Sequence, residues 1–382
     1  MSAQVQGSVF CRIFAMFVCL LTLAQLGSAA DDPKAKQIDA ILSAVTSKNE
    51  PGLAVVVRKN GHTVFERGYG MRDLRSGLPI DKHTNFRLAS VTKQFTAMAV
   101  MLLVHDGKLH YEDRLTDIFP GFPAYGQQIT IRNLLNHTSG LQDYVDLLYK
   151  KYPDKDSDQI PQINDEGVLS MMKEQTGTKF PPGTKWEYSN SGYCVLAMVV
   201  QTVSGKPFGD FLHDRIFAPL KMRNTLEFEY GKNRVPDRAY GYTKVGGRWL
   251  ETDQSPTSAT LGDGSIYSSV DDLIKWDDAL WNHTLLTEEE MRPAITPVIL
   301  PEGRLLPKGH DGIPHEYGFG WFLEPYRGHK RMDHEGGTVG FHHNISRFLD
   351  EKLTIIVLCN RLDLSAWGQV HAIADLYLVD GK

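Results

Sequence analysis

The chain has 382 residues, 42% of them hydrophobic and 23% charged, with 41 Lys and Arg against 46 Asp and Glu. These proportions exclude a collagen, a coiled coil and a disordered polar tail, and the length allows a large buried core. A formal charge of −5 supplies no broad positive field, which argues against nucleic acid as a partner and for small neutral or weakly charged ligands.

Residues 1–30 read as an export signal, outside the fold. Arg12 precedes an apolar run over 13–26, shorter than the roughly 20 residues of a spanning helix, and Gly27, Ser28, Ala29 and Ala30 suit a signal peptidase. Cleavage leaves a periplasmic or secreted domain over 31–382; a retained anchor helix is the alternative. Cys11 and Cys19 fall within the signal. Of the remaining two, Cys194 lies in an apolar helical pattern and Cys359 ends an apolar strand, so buried free thiols are expected, with one disulfide as the alternative.

The mature chain opens with an amphipathic helix over 34–49 and a hairpin of strands 53–59 and 62–69 around Asn60-Gly61. Helical patterns then dominate at 90–106, 130–136, 167–175, 192–204 and 270–281, joined by Pro- and Gly-rich connectors, with a solvated charged loop at 150–158. The chain closes with strands at 317–324, 330–334, 341–349 and 353–359 and a helix over 364–379. The expected fold is α/β of the α+β type. Both chain ends, about 34–75 and 315–382, form one antiparallel sheet flanked by helices, and about 76–314 is a large helical insertion.

Three short stretches carry chemistry. Ser90-Val91-Thr92-Lys93 opens a strongly apolar helix, where unpaired amides favour developing negative charge, and the spacing of three puts Lys93 on the face of Ser90, one turn deeper. Lys93 can then act as a base toward the hydroxyl; the plain alternative is a helix cap. Tyr188-Ser189-Asn190 follows the turn-rich Phe180-Pro-Pro-Gly183. In an extended loop Tyr188 and Asn190 point the same way, Tyr188 offering a phenol for proton transfer and Asn190 an amide to hold substrate or orient Lys93. His334-Glu335-Gly336-Gly337 lies on a strand. Its glycines let a substrate backbone approach, the Gly337 amide can donate to an oxyanion, and alternation sends Glu335 away from the face of His334.

Ser-x-x-Lys, Tyr-x-Asn and His-x-Gly, in this order, resemble the serine hydrolases related to class C β-lactamases, a family that includes D-alanyl-D-alanine carboxypeptidases and family VIII esterases. The likeness extends through His137-Thr138-Ser139-Gly140-Leu141, the run from Phe217 to Thr225, the run from Gly264 to Leu273 and Tyr317-Gly-Phe-Gly-Trp321. It implies a β-lactamase/transpeptidase-like fold that needs no cofactor or metal. It implies Ser90 as acylated nucleophile, Lys93 and Tyr188 sharing general base and acid duty, and Asn190, His334, Gly336 and Gly337 at the substrate, with the amides of Ser90 and Gly337 as the oxyanion hole. The substrates implied are a small ester, amide, peptide or β-lactam. Class C β-lactamases carry a Lys where this chain has His334. An ordinary histidine is charged only about a quarter of the time at pH 7, so carboxylate recognition is expected to be weak.

Rival readings are weaker. His310, His315, His329, His334, His342 and His343 crowd one region, but no His-Glu-x-x-His helix exists, and the Gly-x-Ser-x-Gly elbow of α/β-hydrolases is missing. A penicillin-binding sensor or scaffold that acylates without turnover remains the non-enzymatic alternative.

Overall fold

The computed structural model describes residues 33–301, 307 and 314–379. The segment read as an export signal, with Cys11 and Cys19, lies outside the described residues, as do His310 and most of the 296–314 loop. Among the described residues no helix is long and apolar enough to cross a membrane.

Five strands form the main sheet: β1 (Leu53–Lys59), β2 (His62–Tyr69), β3 (Arg331–Thr338), β4 (Phe341–Phe348) and β5 (Leu353–Cys359). Their order is β3-β4-β5-β1-β2, with antiparallel pairing throughout. The two chain ends meet where β1 lies beside β5, from Leu53 opposite Cys359 to Lys59 opposite Leu353. Asn60 and Gly61 both take positive φ, 52° and 78°, which is what a two-residue hairpin turn requires.

Five helices matter for the site: α1 (Ala35–Ser43), α2 (Lys93–His105), α3 (Asn190–Ser204), α4 (Val270–Trp281) and α5 (Ala366–Ala374). Strand β1 is apolar from Leu53 to Val57 because both faces are covered there. Leu53, Val55 and Val57 pack with Ile38, Leu42, Val370 and Ile373 of α1 and α5, while Ala54 and Val56 face the core built around α2. Every residue of α2 from Lys93 to Leu103 is buried, as its all-round apolar composition requires. The nucleophile candidate therefore enters a helix that cannot shift without disturbing the whole core. Cys194 and Cys359 are both free and buried.

The structure departs from the expected elements in three places. Residues 317–324 form isolated bridges, Tyr317 with Phe322 and Phe322 with Asp333, because Gly320 at φ 78° turns the chain back on itself. Helices α1 and α5 are shorter than the 34–49 and 364–379 patterns. The 76–314 region also contains strands: Phe86–Arg87, Leu226–Glu227 and Ile266–Ser268 form a small sheet, and Tyr242–Val245 pairs with Arg248–Glu251.

Glu227 of the small sheet has its Oε1 3.4 Å from Ser265 Oγ, and burial, aided by the charges of Glu229 and Asp165, pushes its carboxyl up to about 8. Between the ordinary glutamate range and pH 8 the folded chain keeps a proton that the unfolded chain releases, so raising pH through this window destabilises the fold. Glu227→Gln is expected to melt higher than the parent at pH 9, with the gap closing at pH 5. A gap that stays constant in a thermal melt series would contradict the buried neutral carboxyl.

Candidate active site

Ser90 lies in the 3-10 turn Ala89–Thr92 that runs directly into α2. Ala89 before it adopts φ 47°, a left-handed conformation costing an L residue about 1–2 kcal/mol, so backbone strain sits next to the nucleophile candidate. Lys93, one turn on, is fully buried. Its Nζ lies 3.0 Å from Ser90 Oγ, 2.9 Å from Asn190 Oδ1 and 3.2 Å from the carbonyl oxygen of Asp263.

That set of partners has a chemical consequence. Asn190 Oδ1 and Asp263 O only accept, and they engage two N–H bonds of Lys93; the third position faces Ser90 Oγ. As an ammonium Lys93 donates there, and as an amine it turns a lone pair to the Ser90 hydroxyl. The arrangement thus serves a proton passing between Oγ and Nζ in either direction.

Asn190 begins α3, whose cap is Ser189: its Oγ accepts the Gly192 amide at 3.1 Å. Asn190 therefore projects from a helix start, whereas the sequence places it in an extended loop, and its Oδ1 reaches Lys93 Nζ, the contact the orienting role requires. Tyr188 lies just outside the helix, and Lys93 Nζ sits over its ring, 4.9 Å from the centroid. The ring packs among Trp186, Leu300, Tyr317, Val298 and Phe322.

The strand motif forms the opposite wall. Asp333 exchanges both backbone bonds with Phe322, each 2.9 Å, off the open edge of β3. Gly337 shares the parity of Asp333, and it neighbours the pair Thr338 and Phe341 that closes the hairpin, so its N–H points off that same edge. Strand β3 packs on the Ser90 turn. The two glycines have separate duties. A Cβ on Gly336 would lie 2.2 Å from the Leu88 carbonyl oxygen, whereas one on Gly337 would meet nothing within 4 Å. Gly336→Ala is expected to cost about 1–3 kcal/mol through forced displacement of β3, and Gly337→Ala to leave stability nearly unchanged. Equal losses of folding free energy in denaturant titrations would refute this division.

His334 behaves differently from the expectation of partial charge. The side chain is 1% exposed; its Nδ1–H donates to the Glu335 carbonyl at 2.6 Å and its Nε2 accepts from Tyr317 Oη at 3.1 Å. Burial, followed by the charge of Lys93, lowers it to about 3, so it is neutral at pH 7. The remaining described histidines of that region each have partners of their own: His315 with Glu324, His329 with Glu351 and the Val379 carbonyl, His342 with the Leu364 carbonyl, and His343 between the Arg87 carbonyl and the Cys359 amide.

Two contributors lay beyond the sequence reading. The Asp263 carbonyl reaches Lys93 because Gly262 packs where a Cβ would lie 2.2 Å from the Tyr193 carbonyl oxygen of α3, while Asp165 accepts the Leu261 and Gly262 amides at 2.6 and 3.2 Å. Burial, with help from the Asp263 charge, pushes Asp165 up to about 7. The signal available was the Gly262-Asp263-Gly264 turn. Tyr317 was visible only as part of a glycine-rich stretch.

Comparison with known proteins gives three findings. A family model described as Beta-lactamase matches residues 37–377. Penicillin-binding protein 4* of Bacillus subtilis (strain 168) is 30% identical over 366 residues, covering 91% of this chain and 77% of that protein, and a D-aminopeptidase of Cereibacter sphaeroides is 27% identical, covering 81% and 57%. The solved penicillin binding protein from Bacillus halodurans superposes with a TM-score of 0.75 at 25% identity, covering 89% of this chain and 98% of that one.

Proposed function

The chain belongs to the β-lactamase family of serine hydrolases, and from that premise we propose that it is an exported hydrolase opening a carboxylic ester or amide through an acyl-enzyme on Ser90. The observation that carries this reading is Lys93 Nζ held at 3.0 Å from Ser90 Oγ by Asn190 and the Asp263 carbonyl. Lys93 takes the Ser90 proton as Oγ attacks the carbonyl carbon. The amides of Ser90 and Gly337 receive the oxyanion, and Tyr188 passes a proton to the departing oxygen or nitrogen. Water then attacks the acyl carbon, its proton goes to the base, and Oγ leaves with a proton restored.

The neutral, enclosed His334 supplies no charge to a substrate carboxylate. An uncharged short-chain ester or amide is therefore expected to react faster than nitrocefin or a peptide ending in D-Ala-D-Ala. Initial rates on the three classes test this. Preference for the two carboxylate-bearing substrates would overturn it, and a stable β-lactam adduct on Ser90 without release would favour the penicillin-binding sensor.

A further inference from the structure

We infer that His137 is a positioning residue that holds Tyr188 in place, an inference that rests on the acyl-enzyme reading above. Tyr188 ends a stretch with no helix or strand to define it, rich in Pro and Gly from Phe180 to Gly183. Its place must come from contacts to other parts of the chain. His137 makes them on both sides: its carbonyl accepts the Glu187 amide at 3.0 Å, and its ring Nδ1 accepts the Ser189 amide at 3.1 Å. Between those two anchors the ring lies 4.3 Å from the centroid of Tyr188, tilted by 39°.

The geometry of His137 is specific to this task. It adopts φ 62°, a left-handed conformation that Asn, Asp and His tolerate better than most side chains, and it is fully buried. Tyr317 at 4.5 Å, Tyr193 at 5.2 Å and Trp186 at 5.9 Å enclose the ring. Burial, then the charge of Lys93, holds it well below its ordinary value, so the ring is neutral. With Nδ1 accepting, the proton resides on Nε2, which has no hydrogen-bond partner among the described residues. Among the described residues the ring has one polar contact, and that contact is with the residue after Tyr188. The rest of the loop is held independently of that ring, by Lys179 N–H on the Gly140 carbonyl, Gly183 N–H on that of Thr138, and Lys179 and Lys185 on the Glu187 carboxylate. Loss of the ring would leave those bonds and the Glu187 amide on the residue 137 carbonyl intact, and would remove the Ser189 anchor and one wall of the aromatic packing around the phenol ring.

The test uses His137→Ala and His137→Asn, each alone and in a Tyr188→Phe background, read by steady-state rates on a short-chain ester and by the rate of Ser90 labelling with an active-site phosphonate. Asn tolerates the left-handed backbone, and its side-chain oxygen can accept the Ser189 amide. Displacement of a catalytic group by about 1 Å costs on the order of 10²-fold, so His137→Ala is expected to lower kcat by about that factor with KM little changed. His137→Asn should recover most of the loss. In the Tyr188→Phe background His137→Ala should slow labelling by no more than about twofold, since the group it positions is already gone. Undiminished kcat in His137→Ala, a full additional loss beside Tyr188→Phe, or an Asn variant that folds yet is as slow as Ala would each overturn the inference. If the parent itself takes no label on Ser90, the acyl-enzyme reading fails and this inference with it; a labelled parent with an unaffected Ala variant sinks this inference alone.

Discussion

Replacing Ser90 by Ala is expected to lower kcat on any ester the parent hydrolyses by about 10⁴- to 10⁶-fold, while the protein stays folded. Intact-mass spectrometry after exposure to an active-site phosphonate should show one adduct on the parent and none on the variant. The loss in activity is large because Ser90 Oγ is the atom that Lys93 Nζ faces at 3.0 Å, beyond its bonds to Asn190 and Asp263. Thr92, the other hydroxyl of that turn, does not stand in for it: its side chain is buried and its Oγ1 accepts the Ile266 amide. The stability change should be small: one hydrogen bond worth about 0.5–1.5 kcal/mol disappears, and Lys93 keeps two acceptors. Equal rates in parent and variant, or an adduct that survives the substitution, would remove Ser90 from the mechanism.

How much of this could be read from the sequence depended on whether the signal was local. The hairpin of β1 and β2 carries its turn in Asn60-Gly61, and Ser90 and Lys93 announce themselves by a spacing that one helical face enforces. Strands of two or three residues, such as Phe86–Arg87 and Leu226–Glu227, have no period to detect. The stretch 317–324 alternates like a strand, yet Gly320 packs so closely on α2 that a Cβ would lie 2.8 Å from the Lys93 carbonyl oxygen, and the chain turns there. The state of His334 was illegible for a different reason. An isolated histidine titrates near neutrality, and only its enclosure beside Tyr317 and Lys93 keeps the proton off. The carbonyl of Asp263 was equally hidden, because every residue has one and only the tertiary path of the Gly262-Asp263-Gly264 turn aims it.

Lys93→Met is expected to lower kcat by about 10²–10⁴-fold, the range for loss of a general base, and to slow phosphonate labelling of Ser90 in the same sense. Met keeps the length and much of the bulk of the stem, so α2 should hold its packing. What it removes is a group that joins Ser90 on α2's entry turn, Asn190 on α3 and the 262–264 turn. Asn190 Oδ1 and the Asp263 carbonyl then lose a buried donor, a penalty of about 1–3 kcal/mol for each acceptor left unpaired, offset in part because a buried amine no longer has to be desolvated. The two effects separate experimentally. If Lys93 only held the three elements together, activity would track the fraction of folded protein, and conditions that restore folding would restore rate. A base leaves a different trace: the variant, fully folded by thermal melt, stays slow at neutral pH and gains rate as pH rises and hydroxide begins to substitute for the missing amine. A folded Lys93→Met variant with parental kcat would assign the proton transfer to Tyr188 alone.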